Sequence, residues 1–336
     1  MTPEFAQYEA DSLEAYKCAG GDVSHIKFYG GKDAQEKTRI PGAVAAYEWP
    51  GGSSHPAKLA QFLLQSVIDQ GARLFTFCPA TKIESSGESD GTWDVHTPRG
   101  VVRAEKVVHC TNAHAALLVP QLEPYIRPNR AQAHTLIPSP ALAATSSLRS
   151  TFSLRYSLYH FYSLIQRKGD GTLVLGVSRT NPTLSEKTLA SRFSTDDSDY
   201  NQEISDDALR SFEDLFPDYS SNSLAHGEGL DHAWTGIIAM TTDSVPFVGA
   251  IESLPGQYIC AGFNGHGRQD ILLSCKCALL IELSQVWLVY SHVPPELRNL
   301  CARDLGEKQD YRSASNSLLR DSRGFPKETC HPSGSY

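Results

Sequence analysis

No Cys-x-x-Cys pair occurs in this 336-residue chain, although eight cysteines lie scattered at 18, 78, 110, 260, 275, 277, 301 and 330. That spacing writes neither a zinc frame nor a disulfide framework, and a reducing, intracellular compartment is expected. Cys275-Lys276-Cys277, set on a helix, would turn its thiols about 200° apart and so share no metal. Apolar runs stop short of the roughly 18 residues that a membrane span needs, and the start has no leader-like pattern. Neither secretion nor membrane contact is expected, and the C-terminal Gly-Ser-Tyr is not a peroxisomal address. A cytoplasmic location follows. Positive charge is in deficit, 30 Lys+Arg against 38 Asp+Glu for a formal net charge of -8, which argues against nucleic acid as a partner. His55, His109, His114 and His134 lack metal-ligand spacing. No Ser/His/Asp or paired-carboxylate pattern and no internal repeat are present.

What is there begins with a short helix over 5–19 that ends at Gly20-Gly21. Turns fill 30–54, and a helix opens at Pro56 with Leu59, Phe62, Leu63, Val67 and Ile68 on its inner face, closed by Gly71. Hairpin signals follow at Leu74–Phe77, Lys82–Ser85, Trp93–Val95 and Val101–Arg103. Val107-Val108-His109-Cys110 has the texture of a buried parallel strand, and Thr111-Asn112-Ala113 turns it into a helical stretch. From Arg127 the pattern alternates, and 152–178 is expected to pair as a hairpin turning at Gly169-Asp170-Gly171. A helix is expected over Asp206–Phe216, and the tail after 310 has the composition of disorder.

The stretch that organises the rest is Tyr258-Ile259-Cys260-Ala261-Gly262-Phe263-Asn264-Gly265-His266-Gly267. A β-prone segment runs into a glycine-rich turn, and a helical pattern with Ile271, Leu272, Cys275, Leu279 and Leu283 on one face follows. Glycine lets backbone approach a ligand, and a helix start offers unpaired N–H groups. A flat, electron-rich ring suits such a place. A plain strand-to-helix connection, with glycines for tight packing, is the alternative.

Four segments then carry a resemblance: 49–56 (Trp-Pro-Gly-Gly-Ser-Ser-His-Pro), 107–113, Trp234-Thr235-Gly236-Ile237 with Thr242-Asp243-Ser244-Val245-Pro246, and Gly262 to Gly267. Their order resembles the FAD-dependent oxidoreductases of the D-amino-acid-oxidase-like family, in a branch common in fungi and bacteria. The resemblance implies a mixed α/β (α+β) fold. In it a Rossmann-like FAD-binding domain, from 1–125 and 230–300, interleaves with a mainly antiparallel substrate domain over 126–229, with insertions from that domain near 30–70. It implies FAD as cofactor and oxidation of a C–N bond in an amine or amino-acid-like small molecule, in a fungal secondary-metabolite pathway.

Carried over by position, Gly262, Asn264, Gly265, His266 and Gly267 would sit against the flavin, with Asp243 in a loop near the ring. Thr111 and Asn112 would lie by the adenosine half, and Ala80 and Thr81 would reach the adenine. Asp243 has the alternative of a solvated turn carboxylate, and Thr111 and Asn112 that of a helix N-cap. Candidates to face the substrate are Tyr159, His160, Tyr162 and Arg130, of which alternation allows only one set to do so. Arg268, next to the helix start, could hold a substrate carboxylate, offset charge on reduced flavin, or stand on the surface. One departure stands out: the family opens with a strand, Gly-x-Gly-x-x-Gly and a helix, and nothing here matches. Losing two charge-assisted phosphate contacts at about 1.5–3 kcal/mol each would weaken binding roughly 10²- to 10⁴-fold. A truncated gene model, one half of a split enzyme working with a separate N-terminal chain, and a diverged protein that no longer uses FAD all stay open. So do a non-catalytic binding or partner protein, a cofactor-free enzyme that reuses the substrate pocket for isomerisation or cyclisation, and a homo-oligomer.

Overall fold

The structure, a computed structural model, describes residues 2–87, 91–219 and 224–266. Gly267, Arg268, the helical pattern over 271–283, Cys275, Cys277 and the tail after 310 lie outside the described residues. Helix α1 (Pro3–Cys18) starts where Thr2 accepts a hydrogen bond from the Phe5 N–H, with proline in its first turn. Strands β1 (Lys27–Gly30) and β2 (Ala45–Glu48) pair antiparallel around α2 (Gly31–Thr38). Ala34, Ile40 and Ala43 of this unit belong to the main core.

Helix α3 (Pro56–Asp69) is capped by His55, whose Nδ1 accepts from the Lys58 N–H at 3.4 Å. Its apolar stripe is expected to face inward, yet it buries no residue. Phe62 is 69% exposed, and Leu59, Leu63 and Ile68 are exposed as well. Leu74–Phe77, expected as a strand, is not one, and Phe77 stands exposed at φ 53°. Periodicity identifies which face is apolar, but whether another element covers it depends on the rest of the fold.

The next three strands, β3 (Lys82–Ser85), β4 (Trp93–Thr97) and β5 (Gly100–Ala104), form an antiparallel meander where the hairpin signals lie. Strand β6 (Val107–His109) follows, then a 3₁₀ turn over Asn112–His114 and α4 (Ala115–Leu118).

The long strand β7 (Ile126–Ile137) begins the main sheet. Strands β8 (Phe152–Ser157), β9 (His160–Gln166) and β10 (Leu173–Arg179) join it, and after α5 (Glu186–Ala190) and α6 (Gln202–Leu215) comes β11 (Gly229–Thr241). The sheet order is β11-β7-β10-β9-β8, antiparallel throughout. Finally β12 (Phe247–Ala250) and β13 (Gln257–Ala261) pair antiparallel, and β13 pairs parallel with β6. The parallel pairing matches the expectation for 107–110, but Val108 is exposed rather than buried.

Burial along β9 and β10 alternates with period two, so one face of the sheet is packed and the other half-open. Leu136, Tyr162, Leu164, Leu173, Leu175 and Val177 form the packed face, against Ile204, Ala208 and Phe212 of α6. A second, smaller core joins Ala113, Ala115, Val119, Leu122, Ile126, Ala239, Ile259 and Ala261. That cluster ties β6 and β13 to the near end of the sheet and so fixes where the glycine turn after β13 emerges.

Candidate active site

Strand β13 delivers the chain to Gly262, where φ is +84° and a Cβ would lie only 2.6 Å from Cγ2 of Thr241. Any larger residue there would collide as well as strain the backbone. Asn264, itself left-handed at φ 54°, holds the turn shut. Its Oδ1 accepts from the Thr241 N–H at 2.8 Å, and its Nδ2 donates to the Gly262 carbonyl at 2.7 Å. The Asn264 N–H donates to the Ala239 carbonyl at 2.9 Å. Asn264 therefore shapes the turn, and its amide is fully engaged in doing so.

Gly265 differs. It is exposed at φ +89°, and the nearest atom to a Cβ placed on it is Cδ1 of Ile238, 3.9 Å away. Among the described residues its N–H has no acceptor. His266 is exposed beside it, its N–H donating to the Phe263 carbonyl at 2.8 Å.

Asn112 reaches the same turn from 150 residues away. At φ 48° it directs Oδ1 to the Gly262 N–H at 3.0 Å, tying the end of β6 to the glycine turn. Two segments singled out separately in the sequence are thus one structure. Thr111 makes no capping hydrogen bond through its side chain. Thr81 pairs through N–H and hydroxyl with the His96 carbonyl, at 2.9 and 3.2 Å, at the edge of the meander, next to half-buried Ala80. Asp243 lies in an exposed turn, with Oδ1 accepting from the Val245 N–H at 3.0 Å.

The substrate-facing candidates separate. Tyr162 is fully buried on the packed face, and its hydroxyl donates to Oδ2 of Asp207 at 2.6 Å. Burial, together with that bond to an anionic acceptor, holds the phenol well above its ordinary pKa. Nε2 of His160 lies 3.1 Å from the same hydroxyl, and its ring stacks on Tyr156 at 4.6 Å. Burial depresses the His160 pKa, a tendency that Asp207 opposes. These two side chains belong to the core network, not to an open surface. Arg130 donates to the Asp196 carbonyl at 3.2 Å. Tyr159 alone stands free, 70% exposed in the turn between β8 and β9.

The histidines without metal spacing have other partners. His109 bonds Gln257 at 2.7 Å, and His134 lies between Gln132 and the Leu175 carbonyl. Among the described residues no group of three or more His, Cys, Asp or Glu is placed to hold a metal ion.

Ile238, which adjoins Gly265, is opposite Asn129 on β7 and shares its side of the sheet with Gly236, Ala131 and Ala133. Gly176, Ser163 and Ser178 continue that side onto β10 and β9, all half-buried. The bare glycine turn thus opens at the edge of a sheet face on which these small side chains stand among larger ones, with Trp234 opposite Ala133 and Phe161 two residues before Ser163. Nothing in the spacing of the sequence names Ile238 or Thr241, because their role comes from lying across from the turn.

The family model for FAD-dependent oxidoreductases (DAO) matches residues 6–278. The chain belongs to the FAD-dependent oxidoreductase family. Family enzymes depend on FAD, so FAD is the cofactor and the mixed helix-and-sheet fold is the family's. No curated protein sequence matches the chain. Among solved structures it is similar to glycine oxidase from Geobacillus kaustophilus, with 19% identity and a TM-score of 0.65, over 88% of this chain and 74% of that one. Fructosyl peptide oxidase from Aspergillus nidulans gives 17% identity and a TM-score of 0.65, over 84% and 69%. Iminodiacetate oxidase from a Chelativorans species gives 14% and 0.59, over 84% and 71%. At these identities the likeness concerns the fold.

The residues present fit the ring half of FAD. Gly265 leaves space where a side chain would stand and offers a free N–H, while Asn112 and Asn264 hold its neighbours rigid. For the pyrophosphate, the described residues contain no Gly-x-Gly-x-x-Gly turn between strand and helix.

Proposed function

We propose that the chain, with FAD, oxidises the C–N bond of an amine or amino-acid-like small molecule. One observation carries this reading: Gly265, bare and exposed, adjoins Ile238 at the rim of the half-open sheet face. In this reading the turn's backbone and the sheet face would bound the slot that takes a flat ring and a small substrate. FAD, when bound, supplies the acceptor for the hydride that leaves the carbon next to nitrogen. The chain's own part is alignment, and such chemistry depends on geometry more than on a strong side-chain base. Asn112 and Asn264 fix the turn, Ala131, Ala133 and Gly236 leave room, and Phe161 and Ile238 supply an apolar wall that displaces water. The amine loses a hydride from carbon and a proton from nitrogen to become an imine, which water hydrolyses to a carbonyl compound and ammonia or a smaller amine. Molecular oxygen would take up the two electrons and yield hydrogen peroxide. The resemblance to a branch common in fungi and bacteria supports a place in secondary metabolism, and the scattered cysteines support a cytoplasmic location. No helix among the described residues is long and apolar enough to cross a membrane.

The test is direct. The full chain is loaded with FAD, alone and with a Gly-x-Gly-x-x-Gly strand-turn-helix segment supplied in trans, and titrated with primary and secondary amines under oxygen. Flavin bleaching without oxygen and peroxide formation with it are the expected results. A well-folded protein that stays colourless in both arrangements would overturn the reading in favour of a non-catalytic partner protein.

A further inference from the structure

The end of the main sheet nearest the glycine turn carries three arginines that meet no carboxylate among the described residues. Arg127 and Asn129 come from the start of β7, Arg179 from the end of β10, Arg192 and Phe193 from beyond α5, and Tyr159 from the β8–β9 turn. Together they line a cavity of about 320 Å³, within the range of small-molecule sites. Among the described residues none of the three guanidinium groups is in an ion pair. Arg192 is aimed by its Nε donating to the Leu189 carbonyl at 3.1 Å, which leaves its terminal nitrogens uncommitted. Burial and the neighbouring charge of Arg179 both lower its pKa, as expected when like charges crowd a poorly hydrated site.

The cavity also lies close to the glycine turn. Asn129 is the register partner of Ile238, the residue that adjoins Gly265. Asn129, nine-tenths buried, lines the cavity and donates through its amide to the Ser178 carbonyl at 3.4 Å. Tyr159 and Phe193 add aromatic surface at the rim.

We infer that this cavity receives a dianionic group of the substrate, either a phosphate monoester or a pair of carboxylates, through Arg127, Arg179 and Arg192. One carboxylate would leave two of three guanidinium charges unanswered. Two negative charges spread over several oxygens match the planar forks that arginine presents. Placing the amine of that substrate at the glycine turn rests on the function proposed above, whereas anion capture does not.

Binding is therefore measured on the full chain without FAD, by calorimetric titration with inorganic phosphate, succinate, acetate and choline at low and high salt. Phosphate or succinate should bind about tenfold or more tighter than acetate, choline should not bind, and salt should weaken the dianion. Tighter phosphate assigns the ester, tighter succinate the dicarboxylate. Arg179→Gln should cost about tenfold or more in affinity. Arg127→Gln, at an exposed position, gives the same readout should the first variant fold poorly, and Arg155→Gln, outside the cavity, should leave affinity unchanged. Dianions binding no better than acetate, or equally well to both cavity variants, would overturn the inference. Anion binding that persists in a chain with no amine oxidation would leave this site standing and remove the proposed reaction.

Discussion

The two faces of the five-stranded sheet are built from the same strands and obey opposite rules. On the packed face Leu164, Leu173 and Leu175 are fully buried against α6, and most polar groups admitted there are answered, although among the described residues the Ser205 hydroxyl of α6 has no partner. Tyr162 donates to Asp207, Asn181 donates to its other oxygen at 2.9 Å, and His134 is held between Gln132 and a backbone carbonyl. On the open face Ala131, Ala133, Ser163, Gly176 and Ser178 are small and stand among the larger Phe161, Val174, Trp234 and Ile238. The packed face supplies stability, whereas the small residues among the larger ones leave the other face half-open. Stability and binding therefore respond to substitutions on different faces, although the residues alternate along one chain.

Leu175→Ala should break the packed face most severely, with about 2–5 kcal/mol lost in chemical denaturation. A loss below about 0.5 kcal/mol, the scale of surface changes, would erase the contrast. Tyr162→Phe should cost about 1.5–3 kcal/mol, because Asp207 keeps its charge and loses its shortest donor. The flavin spectrum of that variant should not move. A change in flavin or substrate binding would return Tyr162 to the active site.

Asn112→Ala sharpens the comparison from the side of the turn. Losing one neutral hydrogen bond to Gly262 should cost about 1 kcal/mol of stability, with a larger relative effect on FAD affinity. Equal FAD affinity in that variant and the parent would remove the turn from the site.

Acid should act through the packed face. Burial lowers the pKa of His134 below its ordinary 6.5, against a smaller opposing pull from the Leu175 carbonyl. With Nδ1–H donating to that carbonyl, Nε2 is left to accept from the Gln132 amide at 3.0 Å. Protonating Nε2 would set two donors against each other. His134 in the unfolded chain takes its proton first as pH falls, so its stabilising contribution is complete above 6.5 and is lost as pH drops through the lower folded value. Midpoints of thermal unfolding between pH 8 and 4 check this, and His134→Gln should flatten the acid limb. The smallest effect on stability belongs to the open face. Ala133→Leu should stay within about 0.5 kcal/mol of the parent, yet raise the KM for an amine substrate by filling the slot.

Much of the site was legible in sequence because its requirements are local. A glycine forced to positive φ, as at Gly262, must be glycine wherever the chain goes, and the turn around Gly265 declares itself through composition. The small helix after β6 and the hairpin over β9 and β10 were equally plain, since turn chemistry and alternation reside in neighbouring residues. Tyr162 was not legible in this way. Alternation separates it from Tyr159, but only α6, bringing Asp207, decides which set meets the core. The same applies to the cationic cavity, because no spacing rule connects 127, 179 and 192.

Helix α3 marks that limit most clearly. Its sequence determined that Leu59, Phe62 and Leu63 share one side of a helix, because 3.6 residues complete each turn. It did not determine that the side would be covered, and in the described fold it is not. What the chain alone decided were conformations and periodicities, which short-range sterics enforce. The tertiary structure decided the pairings across long separations, Asn112 with Gly262 and Asn129 with Ile238, because only packing selects which of many compatible surfaces meet.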